Sequence, residues 1–368
     1  MHLLPVWLVR QLAPCLAPLR WLTDRGWLRE ADVDWWLQRL HPLLSLRRVY
    51  ALVETRHWVA RDMLALTLRC NGNARGWRSG QHVPLYLERQ GVRLSRSYSL
   101  VAVQRDGRIE LGIRRAAGGR VSPELLDRLT CGDRLELGQA DGELQWPGES
   151  SAVLLLAAGS GITPLLGLLR AALAAGYAAP VTLLHYVRQP GQRAYGRELQ
   201  QLTQQYPNLQ VRRALTAGPA ASGELVGRFS GGHVAALAAE DLLACGPHGF
   251  VEQVRDWWQS VPGRHPLQVE AFTPAPGAGG EQVASVQLGF ARAHQQVTGN
   301  TRDNLLEQAE ARGLRPPHGC RQGICASCSC VLLAGRVRDR RSGLVSQEPG
   351  QTIRLCVSVP LGNVTLDL

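Results

Sequence analysis

Between about residues 47 and 115 the chain runs in short alternations of apolar and polar positions. Val49–Trp58, Met63–Arg69, His82–Leu87, Ser97–Val103 and Ile109–Arg114 are bounded by turn signals such as Asn71-Gly72 and Asp106-Gly107. They predict strands of an antiparallel barrel. Near Ser151 the period changes. Ala152–Ala157 is a continuous apolar run, as in a strand covered on both faces, and an apolar helix follows to about Ala175. Strands Val181–Tyr186, Leu209–Ala214, Asp241–Cys245 and Leu267–Phe272 then alternate with helices Ala194–Gln205 and His248–Gln259. That alternation predicts a doubly wound parallel sheet.

Pro- and Gly-rich residues 273–281 read as a linker. Beyond it, Val283–Phe290 and His294–Val297 predict a hairpin, and Arg302–Ala311 a helix with Thr301 as N-cap. A strand is expected at Val331–Leu333, with closing strands around Cys356 and Val364–Leu366. Residues 1–46 hold Trp7, Trp21, Trp27, Trp35 and Trp36, and Asp32 is placed to N-cap a helix through Leu40 that Pro42 ends. This extension reads as helices packed on the first domain, or more sharply as an interfacial segment resting on a membrane or a partner. The divisions expected are 1–46 (extension), 47–148 (barrel), 149–272 (nucleotide-binding), 273–281 (linker) and 282–368 (C-terminal module).

Composition narrows the chemistry. The formal charge is +11 over 368 residues, and with no lysine in the chain all 41 basic residues are arginine. Schiff-base chemistry and a Walker-type phosphate loop both need lysine and are excluded. The arginines are scattered rather than striped with aromatics, so phosphate cofactors, an acidic partner or an anionic surface are expected in place of nucleic acid. No run of 18 apolar residues occurs and the N-terminus does not read as a signal peptide.

Five of the nine cysteines fall in the last 49 residues. Cys320, Cys325 and Cys328 are spaced C-x4-C-x2-C, and Cys356 follows 28 residues later. That is the ligand spacing of a plant-type 2Fe–2S cluster, three thiolates from one tight loop and a fourth from a returning strand. Structural zinc prefers two close C-x2-C pairs, and disulfide frameworks suit short secreted chains. Cys330 reads as a strand residue under the cluster. With isolated, reduced Cys15, Cys70 and Cys131, the pattern points to the cytoplasm, at the inner face of the membrane if the extension is interfacial.

A cluster moves one electron at a time, so the chain must also collect electrons. Within the predicted barrel, Arg96-Ser97-Tyr98-Ser99-Leu100 offers a guanidinium for phosphate and a flat ring. Gly118-Gly119-Arg120-Val121-Ser122, opening a helix at Pro123, is a phosphate seat. Gly159-x-Gly161-Ile162-Thr163-Pro164 follows the first parallel strand but departs from the usual G-x-G-x-x-G.

These motifs, with Cys245-Gly246-Pro247, occur in the order seen in the ferredoxin–NADP reductase superfamily. The C-terminal module resembles that of phthalate-dioxygenase-type reductases, and the extension is similar to reductases that serve bacterial membrane fatty-acid desaturases. The resemblance covers about residues 47–368 and implies a flavin-binding barrel, a doubly wound nucleotide domain and a β-grasp 2Fe–2S ferredoxin domain. It implies that Arg96 binds flavin phosphate, Tyr98 lies against the isoalloxazine and Ser99 bonds near its N5. Gly119 and Ser122 would hold the phosphate, and Gly159, Gly161, Thr163 and Pro164 the nicotinamide nucleotide. Cys245 would sit beside the nicotinamide, Phe272 would cover the flavin, and Glu270 is either a proton relay or a solvated carboxylate.

The expected activity is an NAD(P)H-dependent oxidoreductase converting one hydride into two single electrons. Arg188 and Arg193, after a strand end that carries no acidic residue, favour NADPH over NADH. The glycine-rich helix start favours FAD, with FMN the alternative. The acceptor favoured is a membrane acyl desaturase, a di-iron protein, with a ring-hydroxylating or other oxygenase as the alternative and a non-catalytic electron-transfer subunit a further one. Residues 283–368 hold ten Arg against six Asp plus Glu, which predicts an acidic docking face on that acceptor.

Overall fold

The computed structural model describes residues 6–89, 92–119, 121–148, 151–218, 222–237, 239–261, 267–273, 283–319, 321, 323, 327–340 and 342–368. The expected linker lies outside them from residue 274 on. The chain divides into two compact units, Met1–Arg93 with Tyr98–Glu270, and Leu94–Ser97 with Ala271–Leu368.

The first unit opens on helices α1 (Val6–Leu12), α2 (Ala17–Asp24) and α3 (Glu30–Leu40). α3 begins earlier than expected, with Arg29 at its N-cap and Asp32 inside its first turn. The buried carboxylate on this helix is Asp34, which accepts from the Ser45 hydroxyl (2.8 Å) and the Leu46 amide (2.7 Å). Those bonds fasten the chain leaving α3, and Val9, Leu37, Leu43, Leu46 and Tyr50 close a small core beneath it. The outer face is also apolar: Trp35, Trp36 and Leu40 are exposed, as are Trp21 and Trp27.

Strands β1 (Val49–Ala60), β2 (Met63–Cys70), β3 (His82–Arg89), β4 (Val92–Val103), β5 (Arg108–Arg114) and β6 (Arg134–Leu137) close a barrel in the order β1-β2-β5-β4-β3-β6. Helix α4 (Ser122–Arg128) precedes β6. The parallel sheet follows: β7 (Val153–Ala158), α5 (Ile162–Ala174), β8 (Val181–Val187), α6 (Gly196–Gln205), β9 (Leu209–Leu215), β10 (Leu225–Val226), β11 (Asp241–Gly246), α7 (His248–Gln259) and β12 (Leu267–Ala271). Its order, β10-β9-β8-β7-β11-β12, turns back at β7. The loops leaving β7 and β11 therefore flank a switch point, where open α/β sheets bind ligands. Arg170 on α5 joins sheet to barrel, donating to Glu198 on α6 (2.5 and 2.6 Å), to Glu110 on β5 (2.9 Å) and to the Val101 carbonyl on β4 (3.3 Å).

The second unit holds β13 (Ser285–Phe290), β14 (Gln295–Asn300), α8 (Leu305–Ala311), β15 (Ser329–Asp339), β16 (Val345–Ser346), β17 (Thr352–Arg354) and β18 (Ser358–Leu366). The sheet order is β14-β13-β18-β15-β16, with β17 paired to β15. Phe290, Leu288, Leu305, Leu332 and Leu366 form its core against α8. The N-cap of α8 is Asn304 rather than Thr301, and its side chain accepts from the Glu307 amide at 2.9 Å. The chain before it is held otherwise, by Gln308 Nε2 donating to the Asn300 (2.9 Å) and Asp303 (2.7 Å) carbonyls.

Candidate functional site

The loop leaving β7 has the tightest backbone. Gly159 has φ +57, and a Cβ on Gly161 would lie 2.0 Å from the Cys245 carbonyl oxygen, so a side chain there meets backbone. His185 Nε2 lies 2.9 Å from the Gly159 carbonyl. Burial lowers the pKa of that imidazole to about 4, so the neutral ring donates from Nε2 and fastens the turn. The Thr163 hydroxyl donates to Ser160 O (2.8 Å), and Pro164 stands in the first turn of α5. Arg114, which the motifs did not single out, lies against this turn: a Cβ on Gly159 would be 2.6 Å from its Nη1. Its Nε is held by Asp62 (2.9 Å), which also accepts from Gln192 (2.8 Å).

Cys245 is directly across from Ala157 in the register of β11 with β7. Gly246 and Pro247 turn the chain into α7, with Pro247 as its N-cap. Burial, and then the nearby charge of Glu270, push the Cys245 thiol well above its ordinary pKa, so it is uncharged at neutral pH. Glu270 ends near the same point on β12. It is not a solvated carboxylate: its side chain is 11% exposed and its Oε1 lies 3.2 Å from His82 Nδ1, on a ring that is 8% exposed. His82 also went unmarked in the sequence. Phe272 follows two positions later, past the end of the strand and half-buried.

On the barrel side, Arg96–Leu100 lie along β4, with Ser99 and Leu100 buried and Tyr98 half-buried. Arg96 Nη1 donates to Ser95 O (2.7 Å), and the Ser95 and Ser97 hydroxyls are buried with no hydrogen-bond partner among the described residues. Such orphaned polar atoms fit a strand that holds a polar cofactor. Gly118 has φ +69 with open space where a Cβ would stand, and Ser122 Oγ accepts from the Ala116 amide (2.9 Å), leaving its proton free to donate. Arg120 lies outside the described residues.

In the second unit, Cys328 and Cys356 are buried, and the Gly323 amide donates to Cys356 Sγ at 3.2 Å. An N–H···S bond of this kind stabilises a thiolate ligand and tunes a cluster. Gly323 has φ +72, and a Cβ on it would meet Val357 at 2.8 Å. Cys356 belongs to the turn between β17 and β18, not to a strand. Cys320 and Cys325 lie outside the described residues. Cys330 is buried on β15, its thiol pKa raised chiefly by burial.

The two arginines assigned to a 2′-phosphate differ. Arg188 is exposed past the end of β8. Arg193 is ion-paired with the nearly buried Glu224 at 2.7 Å, so its charge is already answered.

Comparison with known proteins agrees with this layout. A family model described as an oxidoreductase FAD-binding domain matches residues 51–146, an oxidoreductase NAD-binding domain 155–256, and a 2Fe-2S iron-sulfur cluster binding domain 291–361. The chain is 33% identical over 300 residues to the heme-dependent oxidative N-demethylase beta subunit of Ectopseudomonas mendocina, covering 80% of this chain and 90% of that one. It is 29% identical over 278 residues to a ferredoxin reductase component of 3-ketosteroid-9-alpha-monooxygenase from Mycobacterium tuberculosis, covering 71% and 75%. Among solved structures, phthalate dioxygenase reductase superposes with a TM-score of 0.61 at 22% identity, over 87% of this chain and 98% of that one.

Proposed function

Because the chain belongs to the ferredoxin–NADP reductase superfamily of oxidoreductases, in the group whose nucleotide domain is followed by a 2Fe–2S domain, we propose that it is the reductase component of an oxygenase system. It is an NAD(P)H-dependent oxidoreductase that passes electrons through flavin to a 2Fe–2S cluster. The proposal concerns where those electrons go and which side chains guide them. Relatives named as subunits of an oxidative demethylase and of a monooxygenase support a separate oxygenase as acceptor.

The observation that carries the assignment of residues is the convergence of Gly159–Gly161 with Cys245–Pro247 at the switch point of the sheet. Bound there and along β4, a nicotinamide nucleotide and a flavin supply hydride chemistry, and a 2Fe–2S cluster supplies single-electron exit. Gly159, Gly161, Thr163, Pro164, Gly246 and Pro247 seat the nucleotide. Cys245 gives the nicotinamide ring an uncharged, water-excluding wall, and Phe272 is the cover of the flavin. Arg96, Ser97, Tyr98, Ser99 and Leu100 orient the flavin, and Gly118, Gly119 and Ser122 its phosphate. Cys320, Cys325, Cys328 and Cys356 hold the cluster. The division at residues 47, 149, 273 and 282 belongs to the same proposal.

Anaerobic mixing with NADPH tests the reading. Both flavin and cluster absorption are expected to bleach, and neither bleaching would end it. In Cys356→Ser, flavin reduction persists while delivery to the purified oxygenase is lost. High salt is expected to slow that delivery, because a net-positive C-terminal module favours an acidic docking face.

One observation favours a second reading, a membrane acyl desaturase as acceptor and peripheral attachment through the extension. Trp27 (67% exposed), Trp36 (65%) and Leu40 (59%) stand outward, and Arg25 and Arg39 lie over Trp21 and Trp35 at 4.1 and 4.0 Å. Indole beside guanidinium suits the headgroup layer of an anionic bilayer. Among the described residues no helix is long and apolar enough to cross a membrane. Cosedimentation with anionic vesicles, lost in the Trp27→Ser/Trp36→Ser double variant, supports the second reading. No cosedimentation by the unaltered chain removes it.

A further inference from the structure

The first unit holds a cavity of about 620 Å³ that the flavin and nucleotide seats do not use. Its walls come from three parts of the chain. The last turn of α1 supplies Arg10, the barrel supplies the turns at 74–79 and 104–107, and α5 supplies Leu168 and Ala171. Leu168 stands ~7.5 Å along α5 from Thr163 of the nucleotide turn. Gln104 lies past the end of β4, ~16 Å along the strand from Ser99. The cavity therefore lies away from the residues assigned to both cofactors.

Its floor is apolar and firmly packed. A Cβ on Gly167 would lie 2.6 Å from the Leu100 carbonyl oxygen, and one on Gly80 2.6 Å from Leu168 Cγ, so α5 rests directly on the barrel. Ile109, Leu144 and Leu168 line it from the core. Two indoles complete the wall. Trp77 is held by Nε1 donating to Gln139 Oε1 (3.0 Å), and Trp146 meets Tyr177 edge-on at 5.1 Å. Over this bed stand the guanidinium groups of Arg10, Arg78 and Arg105, and no Asp or Glu among the described residues lines the cavity. None of these arginines makes an ion pair among the described residues, whereas Arg47, Arg69, Arg170 and Arg193 all do. Arg10 lies on the turn itself: its Nη2 donates to Arg105 O (3.5 Å), and Gly107, with φ +88, leaves the room that a Cβ would take from Nη1. Asp106, in the same turn, is ion-paired with Arg108 at 2.5 Å. Cys70 adds a neutral thiol, its pKa pushed up to about 12, chiefly by burial. Three like charges gathered without a counter-charge repel one another, and a bound anion relieves that repulsion.

We propose that this cavity is a second ligand site, for a small organic carboxylate with a flat apolar body, and that the N-terminal extension closes the site by supplying Arg10. The volume falls in the range of small-molecule sites, about 300–1,000 Å³. An inorganic anion would answer the guanidinium groups but leave the indole and leucine walls uncovered. A flat apolar body covers those walls, and its carboxylate accepts paired N–H bonds from an arginine. The ligand would touch α1, the barrel turns and α5 at once, so its binding favours the form in which the three are assembled. The extension thereby has a task apart from its outward tryptophans, which line none of this cavity.

Calorimetric titration of the full-length, cofactor-loaded protein with 2-naphthoate tests this. Saturable one-to-one binding is expected, unchanged by saturating NADP⁺. The Arg10→Gln/Arg105→Gln double variant is expected to bind about tenfold more weakly or worse, because it loses charge-assisted hydrogen bonds. Its NADPH-dependent turnover with an artificial one-electron acceptor is expected to match that of the unaltered chain. Ala171→Trp, at an exposed helical position of the wall, is expected to block the site without removing a charge. Uncharged 2-naphthamide is expected to bind about tenfold more weakly than the carboxylate. No saturable binding at millimolar 2-naphthoate overturns the proposal, as does undiminished binding by both variants. Displacement by NADP⁺ places the probe in the nucleotide seat and also overturns it. Displacement by equimolar inorganic phosphate reduces the cavity to a simple anion site and refutes the ligand class. The titration needs no hydride transfer, so its outcome is independent of the functional reading above.

Discussion

Two arginines reach across from one half of the first unit to the other, and they meet different surroundings. Arg170, on α5, finds two carboxylates and a carbonyl waiting in the barrel and on α6. Burial works against its charge, but Glu198 and Glu110 outweigh that, and its pKa is raised. Nothing of its charge is left over. Arg114, on β5, spends one edge of its guanidinium on Asp62, a carboxylate shared with Gln192, and lays Nη1 along the Gly159 turn. Saturated charge welds two layers, and unsaturated charge beside a helix N-terminus suits an incoming phosphate.

Removing the saturated arginine is expected to do the most damage. Arg170→Ala leaves Glu110 and Glu198 facing each other in a half-buried space beside the buried Tyr195 hydroxyl. We expect a loss of about 3 kcal/mol in urea unfolding, because a stranded partly buried carboxylate is costlier than its ion pair was favourable. A loss below ~1 kcal/mol would show the network to be decoration.

The Gly159 turn supplies the next effect. The pKa of His185 is about 4 in the folded chain against an ordinary 6.5, so below pH 6.5 the unfolded state binds a proton the folded state refuses. Stability from this group is fully present above pH 6.5 and drains away as pH falls towards 4. Between pH 7 and 4.5 the loss is about 2.5 kcal/mol, taking 1.36 kcal/mol per unit. His185→Gln is expected to flatten that part of the stability profile, and an equally steep acid limb in the variant would dismiss the assignment.

Arg114→Gln is the converse of Arg170→Ala. Its ion pair is part-exposed, so stability is expected to stay within about 1 kcal/mol. The KM for NAD(P)H is expected to rise about tenfold, about 1.4 kcal/mol. A fall in stability with KM unchanged would make the two arginines alike and abolish the contrast.

Much of this architecture was legible because local pattern and tertiary environment agree. Ala152–Ala157 is apolar throughout because β7 is the central strand, covered on both faces. The glycines at 159 and 161 stand where backbone meets backbone. What escaped was decided elsewhere in the chain. Strand β6 is only Arg-Leu-Glu-Leu, too short to announce that it closes the barrel against β1 and β3. Thr301 and Asn304 are both good caps, and Gln308, reaching back to Asn300 and Asp303, leaves Asn304 the cap. His82 and Glu270 sit on different layers, so no spacing relates them. Arg114 was one of 41 identical cations, and only its position against Gly159 separates it from the rest. The preference for a desaturase rested on tryptophans, which mark an interface without naming the partner.

The smallest expected effect separates Arg188 from Arg193. Both were assigned to a 2′-phosphate, and residue type alone ranks them equally. By the criterion of charge left over they are not equal. Arg193 spends its charge on Glu224, a nearly buried carboxylate that a phosphate would have to displace or repel. Arg188 is exposed and free of any ion pair among the described residues. Arg188→Gln is therefore expected to raise the KM for NADPH about fivefold, roughly 1 kcal/mol, and to leave NADH unchanged, since NADH has no phosphate to lose. Arg193→Gln is expected to move the NADPH value by about twofold or less and to show its cost in stability, because the nearly buried Glu224 then loses the Arg193 ion pair. Steady-state kinetics with both nucleotides on both variants decides it. If Arg193→Gln discriminates between the nucleotides more strongly than Arg188→Gln, charge left over is the wrong measure of a binding arginine in this protein.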